Sequence, residues 1–157
     1  PVNIFDANSD ILQKTKRSAK NKDELENGNY IETNANHFVL LIDPKTKAAT
    51  PALVTMKSTQ LKKSRKWNSM MLQLRIQGSK GAFNPPRYSH TYKLTVSKEK
   101  NDKGSWYGWN VELIGPVSDQ DTYNTAKEFA ESVNSGSVQA KPEMESDSAD
   151  SGTKTPF

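Results

Sequence analysis

Two runs in the second half of the chain alternate between apolar and polar residues with a period of two. From Tyr88 to Lys98, the residues Tyr88, His90, Tyr92, Leu94 and Val96 share one parity, and Ser89, Thr91, Lys93, Thr95 and Ser97 share the other. From Ser105 to Ile114, Tyr107, Trp109, Val111 and Leu113 alternate with Trp106, Gly108, Asn110 and Glu112. Successive side chains of a strand point to opposite faces, so each run reads as a half-buried strand. The polar stretch from Lys98 to Gly104 is the turn between them, and Gly115-Pro116 stops the second. The predicted unit is an antiparallel hairpin with Tyr107 and Trp109 inward and Trp106 outward.

The remaining elements follow from shorter signals. Phe38 to Ile42 is apolar on both alternations, which predicts a central strand. After the turn signal Asp43-Pro44-Lys45-Thr46, Ala52 to Met56 reads as its partner. Ser58 or Thr59 offers a helix N-cap, and Leu61 to Leu74 lacks Gly and Pro. Leu61, Trp67, Met71 and Leu74 fall near one side at helical spacing, so a helix is predicted over about 59–75. Gly78 to Pro86 reads as a loop, and Asp119 to Val133 as a second amphipathic helix through Tyr123, Ala126, Phe129, Ala130 and Val133. Residues 1–36 read as a weakly ordered N-terminal segment, 37–135 as one domain, and 136–157 as a disordered acidic tail.

Strand–strand–helix–strand–strand–helix predicts a mainly β, antiparallel fold: a β-barrel of the OB type with one inserted helix and one C-terminal helix. Other α+β sandwiches fit the same order. The barrel needs a fifth strand, from the N-terminal segment or from a piece preceding Pro1; such a missing piece is expected because the chain opens without Met.

Charge separates along the chain more sharply than its total suggests. The net is +4, yet residues 44–98 hold twelve Lys and Arg and no Asp or Glu, leaving the rest at −8. A middle that attracts polyanions, between flanks that repel them, is an argument about partners. Five cations, Lys57, Lys62, Lys63, Arg65 and Lys66, crowd ten residues beside Ser58, Thr59, Gln60 and Asn68. Cations neutralise phosphates, and hydroxyls and amides hydrogen-bond them. A merely solvated helix usually interleaves Glu with Lys, and here no Glu is present. Trp67 lies on the apolar side and is expected in the core.

Further on, Arg75, Lys80, Phe83, Arg87, Tyr88 and Lys93 mix cations with aromatics around a Gly- and Pro-containing loop. That mixture suits single-strand binding, because every base has a π-face that can stack. Phe83 is a candidate platform, whereas Tyr88 and Tyr92 share a parity with Leu94 and Val96 and are assigned to the core. Trp106 is either a second platform or a lid over a neighbouring loop.

Enzyme chemistry finds little support. The chain has no Cys and only two His, His37 and His90, both within predicted strands. No HxxxH or HExxH spacing suggests a metal, and Gly78-Ser79-Lys80-Gly81 lacks P-loop spacing. No carboxylate cluster for magnesium occurs in the basic region. No catalytic residue, metal or cofactor is expected. No apolar run reaches membrane-spanning length, so no membrane association is expected.

The block from Met56 to Met71 resembles small tailed-bacteriophage proteins, some of them single-stranded-DNA-binding. The similarity continues through Pro85-Pro86-Arg87-Tyr88-Ser89-His90 and Lys103-Gly104-Ser105-Trp106-Tyr107-Gly108, covering about 30–135. The C-terminus is similar to the acidic tails of bacterial and phage single-stranded-DNA-binding proteins, which end in Phe, often after Pro. Asp147, Asp150, Pro156 and Phe157 fit that pattern, while Lys154 and the flanking Thr residues depart from it.

The expectation is therefore a sequence-nonspecific single-stranded-DNA-binding protein of phage replication or recombination, acting in the host cell cytoplasm. Lys57, Lys62, Lys63, Arg65, Lys66, Arg75, Lys80, Arg87 and Lys93 would track the backbone, with Phe83 and Trp106 stacking bases. The tail would recruit replication or recombination proteins, and homo-oligomers are possible. The alternative is a phage protein that binds a host or phage protein, as a transcription regulator or structural component. A third reading is a duplex-DNA or RNA binder.

Overall fold

Long amphipathic strands need a partner surface, and here one helix supplies it to two hairpins at once. The computed structural model describes residues 9–102 and 104–140. The described residues begin with a single-turn helix α1 (Asp10–Gln13) and three two-residue strands, β1 (Lys16–Arg17), β2 (Asp23–Glu24) and β3 (Tyr30–Ile31). These three pair antiparallel in the order β1-β2-β3.

The first long hairpin joins β4 (Asn34–Ile42) to β5 (Ala49–Lys57). Its turn is built by Asp43, whose side-chain oxygen accepts the backbone N–H groups of Lys45 and Thr46 at 2.7 and 2.8 Å. Those two amides hold the Asp43 carboxyl below its ordinary pKa. The register pairs Ala35 with Met56, His37 with Val54 and Val39 with Ala52, so these six residues share a face. Among the described residues β4 pairs only with β5. It is thus not the central strand that its continuous apolar run predicts. Phe38 and Leu40 occupy the second face half-buried, and Leu41 is exposed.

A 3₁₀ turn at Ser58–Gln60 leads into helix α2 (Leu61–Gln73). The predicted cap by Ser58 or Thr59 is not used. Gln60 occupies the N-cap position without a side-chain cap, and its Oε1 instead accepts the backbone N–H of Trp109 at 2.9 Å. Ser64, Trp67 and Met71 form the buried stripe of α2. The predicted loop that follows contains a short ribbon, β6 (Ile76–Gly78) paired with β7 (Gly81–Phe83). A second 3₁₀ turn at Arg87–Ser89 takes Tyr88 out of the predicted strand, and its ring meets Tyr123 edge-on at 5.4 Å.

The second long hairpin joins β8 (His90–Asn101) to β9 (Gly104–Pro116), with a register shift between Thr91 and Tyr92. Helix α3 (Gln120–Asn134) closes the described chain. Its N-cap is Asp119, read from the sequence as the first helical residue, which accepts the Thr122 backbone N–H at 2.7 Å.

Met56, Trp67 and Met71 are the buried apolar core, with Ala35, Val39 and Val54 from one hairpin and Tyr92, Leu94, Trp109 and Val111 from the other packed against them. The fold is mainly antiparallel β, as the alternation predicts. Among the described residues the strands form one three-stranded and three two-stranded sheets, and none closes into a barrel. Trp67 and Met71 of α2 and Met56 of β5 form the cluster that both long hairpins pack against.

Candidate nucleic-acid interface

Helix α2 divides its residues by what its neighbours bury. The stripe of Ser64, Trp67 and Met71 faces the hairpins, which leaves Lys62, Arg65 and Lys66 exposed to solvent. None of these three makes an ion pair or side-chain hydrogen bond among the described residues. Ser64 Oγ lies 2.8 Å from His37 Nε2, and the His37 ring stacks on Trp67 with centroids 4.5 Å apart. Burial, and secondarily the nearby Arg87 charge, lower the His37 pKa and favour the neutral ring. This pair was missed in the sequence. Its one signal was that Ser64 sits three residues before Trp67 on the buried stripe.

Other predicted phosphate contacts are already engaged. Lys63 Nζ lies 2.6 Å from Glu99 Oε1, and Lys57 Nζ lies 3.5 Å from Glu32 Oε2. Arg75 donates to the carbonyls of Leu72 and Leu74, both at 2.8 Å, at the C-terminal end of α2. Arg87 donates to Asn68 Oδ1 at 3.3 Å, which fixes this cation beside the middle of α2. Lys93 stands directly across from Glu112 in the register.

The ribbon carries Lys80 in its turn and Phe83 on β7. Phe83 is about half exposed, and its ring lies over Gly78, where a Cβ would come within 3.1 Å. Asn84 Nδ2 donates to the carbonyls of Met71, Leu72 and Leu74 at 3.1, 3.2 and 2.9 Å, tying the ribbon to the end of α2.

The two neighbouring aromatics of β9 exchange the exposures expected of them. Trp106 donates its indole N–H to Glu99 Oε2 at 2.9 Å and is only partly exposed. Lys63 and Trp106 together hold the Glu99 carboxyl below its ordinary pKa, the lysine contributing most. Gly108 leaves the space for this cluster, since a Cβ there would lie 2.7 Å from the Glu99 carboxyl carbon and 2.9 Å from Gln60 Nε2. Tyr107, by contrast, is 72% exposed. Its parity is the apolar one, but at this end of the hairpin Lys63 and Gln60 reach Glu99 and Gly108, on the other face.

The tail residues Asp147, Asp150, Pro156 and Phe157 lie outside the described residues. Among the described residues no group of three potential ligands could hold a metal ion, and no helix is long and apolar enough to cross a membrane.

The sequence model of a family described as Pam3 phage gp34-like protein matches residues 1–139, nearly the whole of the described chain. The chain belongs to that phage family. Neither the curated proteins nor the solved structures contain a match. In this gp34-like chain the matched span includes α2, the ribbon and both long hairpins, so every candidate contact with described geometry lies within the family's shared region. The tail residues lie beyond it.

Proposed function

We infer that this gp34-like protein binds single-stranded DNA without sequence preference, in phage replication or recombination within the host cell. The observation that carries the reading is the solvent face of α2, where Lys62, Arg65 and Lys66 stand exposed with no carboxylate bound to them among the described residues. Arg87 is held against the same helix by Asn68, and Arg75 sits at its end. Fixed cations facing water attract a polyanion and gain from counterion release when phosphates arrive. Lys80 and Phe83 extend the surface along the ribbon. Lys57, Lys63 and Lys93 drop to supporting roles, because carboxylates already face them.

An OB-type barrel belongs to this proposal as its architectural form. It would require the edges of the two long hairpins to join, and slow amide exchange along both edges in solution would support that closure. Contact with replication or recombination proteins through Asp147, Asp150, Pro156 and Phe157 is part of the same proposal.

The test is intrinsic Trp and Tyr fluorescence titrated with an unlabelled single-stranded oligonucleotide and with its duplex at two salt concentrations. Tighter binding to the single strand, with a log–log salt slope near −0.7 per phosphate contact, is the expected result. Absence of binding to any polynucleotide at low salt would overturn the reading and favour an acidic protein surface as the partner of α2.

A further inference from the structure

At the turn end of the second hairpin α2 reaches the face of Glu99, and the other face carries an unusual combination. Register places Val96, Lys98 and Lys100 of β8 on the same face as Tyr107 and Trp109 of β9, with Tyr107 directly across from Lys98. Val96 is 55% exposed and Tyr107 is 72% exposed, although this is the face that buries Tyr92, Leu94 and Val111 farther along. Both carboxylates carried by the two strands, Glu99 and Glu112, lie on the opposite face, and Asp102 lies in the turn. Glu99 is held there by Lys63 and Trp106. The open face thus presents an aromatic ring and an apolar side chain, flanked by two lysines and free of strand carboxylates.

We propose that this face is a base platform, on which Tyr107 stacks an unpaired nucleobase while Lys98 and Lys100 meet the phosphates on either side of it. The proposal rests on the single-strand reading given above and locates its stacking residue, which is Tyr107 and not Trp106. Charge selects the occupant: an apolar peptide would gain nothing from the paired lysines, whereas a nucleotide strand offers a π-face and phosphates together. Trp106 is unsuited to the role, because its indole N–H and ring orientation are fixed by Glu99.

The experiment compares the full chain with its Tyr107→Ala and Tyr107→Phe variants on two probes: an oligo(dT) strand and an abasic strand of equal length. The side chain is largely exposed, so both variants should fold, and an unchanged denaturation midpoint verifies this. Tyr107→Ala is expected to weaken oligo(dT) binding about five- to a hundredfold, with Tyr107→Phe close to wild type. All three proteins should bind the abasic strand alike. Wild-type oligo(dT) affinity in Tyr107→Ala overturns the platform. If a Lys62, Arg65 and Lys66 triple alanine variant still loses affinity in that case, the single-strand reading survives without it. A loss of self-association in Tyr107→Ala, with DNA binding intact, would instead mark the face as a contact between copies of the chain. Failure of wild type to bind either probe removes both readings.

Discussion

Lys63 and Glu99 join α2 to the second hairpin through an ion pair of 2.6 Å, with both side chains less than a quarter exposed. The same carboxylate accepts the Trp106 indole N–H, so one acid organises a helix, a strand and an aromatic ring. Its pKa is depressed in the folded protein, chiefly by the lysine. The unfolded chain therefore binds a proton more readily. This contribution to stability is complete above the ordinary carboxylate pKa of about 4.3 and is lost as pH falls through the lower folded value. Glu99→Gln should be less stable than wild type at pH 7, and the gap should narrow toward pH 3. Chemical denaturation at several pH values measures it; a gap constant across that range would contradict the assignment.

Met56 is fully buried where the first hairpin meets Trp67 and Met71. Met56→Ala should cost about 2–5 kcal/mol, the transfer loss plus the residual cavity. Urea denaturation with an unchanged m-value is the measurement. A cost below 1 kcal/mol would mean that the hairpin and helix are not packed against one another in solution.

Tyr92 buries its hydroxyl with no hydrogen-bond partner among the described residues, against the edge of Trp67 at 5.7 Å between centroids. Burial alone raises its pKa. Removing an unpaired buried hydroxyl while keeping the ring should be neutral or stabilising, so Tyr92→Phe is expected to gain up to about 1 kcal/mol. A clear loss of stability would show that the hydroxyl has a partner.

The cations should separate by what they touch. Lys62, Arg65 and Lys66 changed together to Ala should flatten the log–log salt slope of oligonucleotide binding by about 2, at roughly 0.7 per contact. Lys57→Ala should change it far less, because Glu32 already faces that ammonium. Equal losses from both variants would mean that general charge, and not the α2 face, governs binding.

How far the sequence could be read depended on whether a signal was local. The period of two in β8 and β9 and the 3.6-residue spacing of Trp67 and Met71 fix element type and buried face, and both were legible. What escaped was which face of the hairpin α2 would meet at each end. Parity assigned Tyr107 inward, yet it is exposed, because at this end the contacts of α2 go to Glu99 on the other face of the hairpin. Pairings between distant residues, such as Lys63 with Glu99 or Gln60 with the Trp109 amide, leave no periodic trace. Counting cations found the basic region but not which members were already paired. The continuous apolar run at Phe38–Ile42 misled because a second half-buried face and a central strand look identical in one dimension.

Asn84 gives the ribbon an orientation that its own three-residue strands could not hold. One side-chain amide bridges three carbonyls at the end of α2, so Lys80 and Phe83 turn with the helix as a boom turns with its mast. The position of the ribbon tip is thus referred to the axis of α2 by one residue outside both of its strands.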